Sequence, residues 1–296
     1  MIAAIPYFDC RPYIRRAVEG LLAQTHRELT VVVVNDGDPQ PPWPLLADIT
    51  DRRLVRFSLR RNHGPYFAAA VVLAAASAPY FLIQDADDWS APDRAASLLT
   101  RLEEDGSDFA VSAQSMWTKD GRPVGGVLWS SAAAGPETTG HCVIRPALTA
   151  RFLYRAPHHG LFRADALRRI GGYYGGFRIS YDTLITNLMF MTGKVSHLPQ
   201  PLYCRTHRPE SLSLNAETGY RSAMRFRINL LIAQVYRDCF RHYVDYKSGR
   251  IDSARFLGVI RSRLARTITT SDARELTIET ARLKRLLACA ASGGGR

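Results

Sequence analysis

Three carboxylates fall within four residues at Asp85-Ala86-Asp87-Asp88, directly after the apolar run Tyr80-Phe81-Leu82-Ile83. Side chains alternate along an extended chain, so Asp85 and Asp87 are expected on one side of it. Two carboxylates presented together suit a hard divalent cation, Mg²⁺ or Mn²⁺, which commonly shares its shell with substrate phosphates. A plainer role stands beside that one, with Asp88 or Ser90 capping a helix that starts at Pro92. One cap needs only one acid.

Other groups in the chain could also do chemistry. In Arg60-Arg61-Asn62-His63-Gly64-Pro65, two arginines and a histidine precede a Gly-Pro turn, an arrangement that fits a diphosphate and equally a solvated basic loop. His158-His159-Gly160 suggests a polar pocket wall; a zinc site would need two more ligands at suitable spacing, and none is found. Trp117 and Trp129 could stack on a flat ligand face or be buried in the core.

The elements that must carry these residues read as α/β. Ile2-Ala3-Ala4-Ile5 is a short strand, and Ile14, Val18, Leu21 and Leu22 mark an amphipathic helix after it. Residues 29–34 form a β-branched run of the kind covered on both faces in a parallel sheet, ending at Asn35-Asp36-Gly37-Asp38. Strand, helix and strand joined by short connections make a βαβ unit, which brings successive strand ends to one edge of the sheet. Residues 39–44 are a Pro-rich loop and 54–57 a third strand. Residues 67–83 are almost wholly apolar, but Pro79 and the acids beyond it argue for a buried helix at 66–76 and then a buried strand, not a membrane span. Ala95, Leu98, Leu99 and Leu102 mark another helix, 109–113 another strand, and Asp120-Gly121 a hairpin turn. Residues 130–140 read as a long loop. Beyond Asn215, residues 220–246, 252–268 and 271–290 read as three Arg-rich helices, followed by a disordered tail at 292–296.

Composition narrows the classes. With 46% hydrophobic and 22% charged residues in 296, the chain has ample material for one large core and is not disordered. Its five scattered cysteines form neither a disulfide framework nor a C-x-x-C pair, which fits a reducing cytosol and a cytoplasmic location. The first strand begins at once, with no basic leader of the signal-peptide kind. A net charge of +12 points to an anionic partner: nucleotide phosphates, nucleic acid or an anionic membrane surface. Neither a recognition helix nor an aromatic RNA-binding signature accompanies it, so no nucleic-acid partner is expected.

The order Ile5-Pro6-Tyr7-Phe8-Asp9, Val33-Val34-Asn35-Asp36-Gly37-Asp38, Asn62-His63-Gly64 and Asp85-Ala86-Asp87-Asp88 resembles the nucleotide-sugar-binding half of family 2 glycosyltransferases of the GT-A fold. Residues 160–173 resemble the segment before that family's catalytic acid, and residues 198–207 with Ser211-Leu212-Ser213 its closing segment. The resemblance spans about residues 2–213 and implies a Rossmann-like, mostly parallel sheet flanked by helices, with a C-terminal helical extension. It divides the chain into a GT-A domain at 1–214, with nucleotide-sugar-binding (1–114) and acceptor-binding (115–214) halves, and an extension at 215–296.

The resemblance also implies roles. Asp36 matches the acid that contacts the nucleobase, often uracil, whose N3–H a carboxylate can accept. Pro6, Tyr7 and Asp9 match the loop lining the nucleotide pocket, although Tyr7 also fits simple packing at a strand end. Arg61 and Asn62 fall to the donor side, as do Asp85 and Ala86, with Asp85 toward the ribose or the metal's water shell. Asp87 would ligate the metal bridging the two phosphates, and His207 stands where relatives supply a histidine to metal or diphosphate. Asp182 matches the general base, and its place before a helix at Leu184, Ile185, Leu188 and Met189 also fits an N-cap.

Two departures are visible. Tyr181 replaces the first acid of the family's usual Glu-Asp pair, leaving Tyr181, His158 and His159 on the acceptor side; Ala68-Ala69-Ala70-Val71 stands where many relatives carry Arg-Asn. The function implied is metal-dependent, inverting transfer of a hexosyl or N-acetylhexosaminyl group from a UDP-sugar or other nucleotide-diphospho-sugar donor. Its acceptor is a hydroxyl or amine on a glycan, a lipid-linked molecule or a small molecule. The alternative is a non-catalytic nucleotide-sugar-binding protein with a degenerate acceptor site. Peripheral membrane contact and a homo-oligomer both stay open.

Overall fold

The computed structural model describes residues 1–126, 142–143, 151–152, 158–208 and 211–292. The elements run β1 (Ile2–Tyr7), α1 (Ile14–Leu22), β2 (Thr30–Asn35), a 3₁₀ turn (Trp43–Leu46), β3 (Leu54–Ser58), α2 (Pro65–Ala75), β4 (Tyr80–Ile83), β5 (Trp89–Ser90), α3 (Arg94–Glu104) and β6 (Phe109–Trp117). They continue with β7 (Cys142–Val143), β8 (Arg151–Phe152), β9 (Gly160–Arg163), α4 (Ala164–Ile170), α5 (Tyr181–Thr192), β10 (Val195–Thr206), α6 (Ala223–Lys247), α7 (Ser253–Thr267) and α8 (Thr270–Ser292).

Eight strands form one sheet in the order β3-β2-β1-β4-β9-β6-β10-β5, and β7 pairs with β8 separately. The neighbours among β3, β2, β1 and β4 are parallel, as are β6 and β10, while β9 and the edge strand β5 run antiparallel. The mixed sheet is therefore mostly parallel, and β1, β2 and β4 end on the same edge.

Alternation along the strands divides the core between the two faces. Ile2 and Ala4 join one cluster, packed with α2 and the C-terminal helices, whereas Ala3, Ile5 and Tyr7 join the other with α1 and α3. Helix α2 is apolar on nearly every side because it is buried on nearly every side, with the sheet on one flank and α8 on the other. That sandwich explains the membrane-like composition of residues 67–83. The C-terminal helices share this core: Tyr236 of α6, Phe256 and Ile260 of α7 and Leu283 of α8 are buried in the same cluster as α2.

Several boundaries differ from the sequence reading. The helix expected from Pro92 begins at Arg94, after Asp93, and Asp88 does not cap it. Strand β6 continues to Trp117, beyond the expected 113, because β10 pairs with it along that length, with register shifts between Leu198, Pro201 and Tyr203. The Asp-Gly turn is present, with Gly121 at φ +77° and a bridge between Trp117 and Pro123. Cys10, Cys204, Cys239 and Cys289 are free thiols. The loop expected at 130–140, with Trp129, and the tail from 293 lie outside the described residues.

Candidate functional site

Asp36 follows the last residue of β2 and is almost fully buried. Its carboxylate accepts the backbone N–H groups of His63 (2.8 Å) and Gly64 (2.7 Å). Burial raises its pKa to about 6, opposed by those two hydrogen bonds and by His63 and Arg178. Gly37 sits beside it at φ +71°, where a Cβ would overlap the Arg61 backbone. The end of β2 thus clamps the loop at residues 60–64. Asp36 has a bond on each oxygen from that loop, and each oxygen keeps a further acceptor position.

The turn after β4 separates the three acids by their partners. Asp85 Oδ2 lies 2.8 Å from His159 Nε2, and the Asp85 backbone N–H donates to the Tyr203 hydroxyl at 3.1 Å. Asp87 Oδ2 is 2.6 Å from the Arg208 Nε. Asp88 is buried and accepts the Thr206 backbone N–H at 2.7 Å, so it pins β10 to the turn. Carboxylate oxygens of Asp85, Asp87 and Asp88 all lie within 4.8 Å of one another. Burial and the neighbouring acids push the Asp87 and Asp88 pKa values up; Arg208 pulls against this at Asp87, and Arg205 at Asp88. Three oxygens in that space, crowded by like charge, form a hard-donor set suited to a divalent cation. Beneath the turn, fully buried Arg94 donates to Gln84 Oε1 (3.1 Å), Ser90 Oγ (2.8 Å) and the Ile83 carbonyl (3.0 Å).

Strand β9 brings in the histidines. A Cβ on Gly160 would overlap the Ala110 carbonyl and the Phe109 ring, so the missing side chain allows the close approach to β6. His158 and His159, just before it, are buried, and burial depresses both pKa values, that of His158 to about 4. Both rings are therefore neutral near pH 7. His159 stacks on Tyr203 with centroids 4.3 Å apart, and His158 Nδ1 lies 2.6 Å from the Tyr173 hydroxyl. Asp85, His158 and His159 also offer ligand atoms within 4.8 Å of one another.

Asp182 lies in the first turn of α5, whose N-cap is Ser180 at φ +61°. The Tyr66 hydroxyl donates to Asp182 Oδ1 at 3.2 Å. Asp85 and Asp182 both act electrostatically on His158, Tyr66 and Tyr173, so the two acids flank one buried aromatic and imidazole cluster.

Several expected site residues sit elsewhere. The Tyr7 ring is wholly buried in the core, its hydroxyl donating to the Gln40 carbonyl at 3.3 Å, and Phe8 is the exposed aromatic there. Pro6 and Ala86 are likewise buried. Asp9 is exposed at φ +49°, its N–H donating to Asp38 at 2.7 Å and its carbonyl accepting from Arg208 at 3.3 Å. Tyr181, expected on the acceptor side, has its ring fully buried against Phe177 and Tyr66, in space left by Gly175. Arg61 reaches Glu275 of α8 at 2.6 Å, and Asn62 accepts from Arg178. His207 is exposed and outside both groups of close ligand atoms; its backbone N–H donates to the Trp117 carbonyl at 2.7 Å. Trp117 packs against Trp89 with centroids 5.5 Å apart. Arg208, the residue sequence reasoning missed, is the one that reaches Asp87. Tyr203 and Arg94 were missed too, and only their long-range contacts reveal them.

A sheet whose parallel strands deliver carboxylates to one edge has known counterparts. The family model described as glycosyl transferase family 2 matches residues 3–170, from β1 through α4. The chain belongs to glycosyl transferase family 2. Within the family, the succinoglycan biosynthesis protein ExoO of Rhizobium meliloti (strain 1021) is 30% identical over 144 residues, covering 49% of this chain and 40% of that protein. The chain thus spans less than half the length of that relative. The uncharacterized glycosyltransferase EpsJ of Bacillus subtilis (strain 168) is 24% identical over 225 residues, covering 74% of this chain and 64% of its own. Among solved structures, S. aureus TarS 1-349 in complex with UDP superposes with a TM-score of 0.57 at 17% identity, covering 99% of this chain and 91% of that one. The fold of this family member is accordingly GT-A, with the C-terminal helices included in the superposition.

Proposed function

We propose that this family 2 chain is a metal-dependent, inverting glycosyltransferase that moves a sugar from a nucleotide diphosphate, UDP-linked by preference, to an acceptor hydroxyl or amine. The observation that carries the reading is that Asp85, bonded to His159, and Asp182, bonded to Tyr66, both neighbour the buried His158, Tyr66 and Tyr173 cluster, with Asp36 and Asp87 at strand ends on the same sheet edge. UDP bound to a protein of the same fold supports the donor class.

In this reading Asp36 accepts from the base, using the acceptor positions left beside its two backbone bonds. Asp87, with Asp85 beside it, would hold the Mn²⁺ or Mg²⁺, which when bound neutralises charge on the departing diphosphate. Arg208 carries a guanidinium that matches phosphate oxygens as well as it matches Asp87, and so serves the diphosphate once the cation takes its place. Neutral His159 donates to Asp85 and fixes that carboxylate's orientation. Asp182 takes the acceptor proton, oriented by the Tyr66 hydroxyl. Asp182→Asn should abolish sugar transfer while UDP binding stays within about twofold; undiminished turnover would remove Asp182 from the base role.

A further inference from the structure

Residues 211–222 and the first half of α6 expose side chains of a size that folded chains usually bury. Leu214, Tyr220, Met224, Phe226, Leu230 and Leu231 are each between 41% and 72% exposed. Large apolar side chains left exposed along one stretch of chain, interspersed with charge, are the composition of an interaction site. Its charge is as distinctive as its apolarity. Between Leu212 and Arg237 the only acid is Glu217, against Arg221, Arg225, Arg227 and Arg237. Arg221, Arg227 and Arg237 are exposed among the apolar side chains. The opposite face of α6 is already used, since Ile232, Val235, Tyr236 and Cys239 are buried in the core.

We propose that this face lies on an anionic lipid bilayer, its apolar side chains in the headgroup region and its arginines against lipid phosphates. No helix of the described residues is long and apolar enough to cross a membrane, so the contact is interfacial. Charge decides between a bilayer and a second copy. A two-fold contact would press this basic face against a second copy of the same basic face, whereas an anionic surface supplies the opposite sign. Three exposed arginines near such a surface are worth roughly a hundredfold in binding at low salt.

The platform is firmly joined to the candidate site. Buried Arg225 donates to Ser180 Oγ at 2.9 Å and to the Leu212 carbonyl at 2.7 Å. Ser180 is the N-cap residue of α5, two positions before Asp182. Docking would therefore hold the segment that carries Asp182 at a fixed height above the lipid surface. Membrane binding stands independently of the transfer reading and is measured without substrate.

The test is co-sedimentation of the full chain with vesicles of about one-third phosphatidylglycerol in phosphatidylcholine, against phosphatidylcholine alone. Binding to the anionic vesicles that weakens with salt is expected. A Phe226→Ser, Leu230→Ser, Leu231→Ser variant should lose about tenfold or more. An Arg221→Gln, Arg227→Gln variant, which leaves every apolar contact in place, should also lose about tenfold or more. Equal binding to both kinds of vesicle, no binding to either, or wild-type binding by both variants would overturn the proposal. So would a dimer in sedimentation velocity that the serine variant dissolves while vesicles go unbound.

Discussion

The Arg208 guanidinium lies 2.6 Å from Asp87, one of three carboxylates whose oxygens lie within 4.8 Å of one another. Both side chains are largely buried, so the pair is poorly screened by solvent, and the arginine occupies the charge position a divalent cation would take. On the proposed reading, a side-chain cation and a metal ion compete for one carboxylate. Arg208→Gln should tighten Mn²⁺ binding in the absence of nucleotide by about five- to tenfold, roughly 1 kcal/mol. Calorimetric titration checks this. Unchanged or weaker Mn²⁺ affinity would mean that Arg208 and the metal do not share Asp87.

This pairing also marks the limit of what could be read from the residues. The strand ends were legible because β-branched runs stop abruptly at acids, and parallel strands place such stops on one edge. The division of labour among Asp85, Asp87 and Asp88 was not legible. It depends on His159, Arg208 and Thr206, which lie more than seventy residues away and reach the turn only through β9 and β10. Tyr181, expected on the acceptor side because it stands where the family carries the first acid of its Glu-Asp pair, is packed in the core, in room that Gly175 makes for it. The basic loop at 60–64 was read as facing a diphosphate or water, because nothing local signals that Asp272 and Glu275 of α8 pack against His63 and Arg61.

The Tyr66 hydroxyl is the donor the structure gives to the Asp182 side chain. Burial, reinforced by the nearby Asp182 charge, raises the Tyr66 pKa well above its ordinary value, so the hydroxyl keeps its proton at neutral pH. Tyr66→Phe preserves the ring that packs against His158, Tyr173 and Tyr181 and deletes only the donor. We expect kcat for sugar transfer to fall about five- to tenfold, the worth of one hydrogen bond of about 1 kcal/mol, with donor KM unchanged within about twofold. Steady-state kinetics separate the two parameters. A loss confined to KM would place Tyr66 with the donor and not with Asp182.

Asp36 gives a stability signature of its own. Burial raises its pKa in the folded chain from 3.8 to about 6, so between those values the folded state holds a proton that the unfolded chain has released. The stabilisation from that proton is fully present below the unfolded value and is lost as pH rises through about 6. A shift of about two units corresponds to roughly 3 kcal/mol. Asp36→Asn cannot titrate, and its amide group can accept only one of the two loop N–H groups, from His63 or Gly64. The variant should therefore be less stable by about 1–3 kcal/mol near pH 7, the cost of a buried donor left unpaired. The difference in unfolding free energy, wild type minus variant, should be larger by roughly 2 kcal/mol at about pH 4 than above about pH 7. Denaturant titrations across that window measure it. A difference that grew with rising pH would show that the clamp on residues 60–64 favours ionised Asp36, with the two backbone hydrogen bonds outweighing its burial.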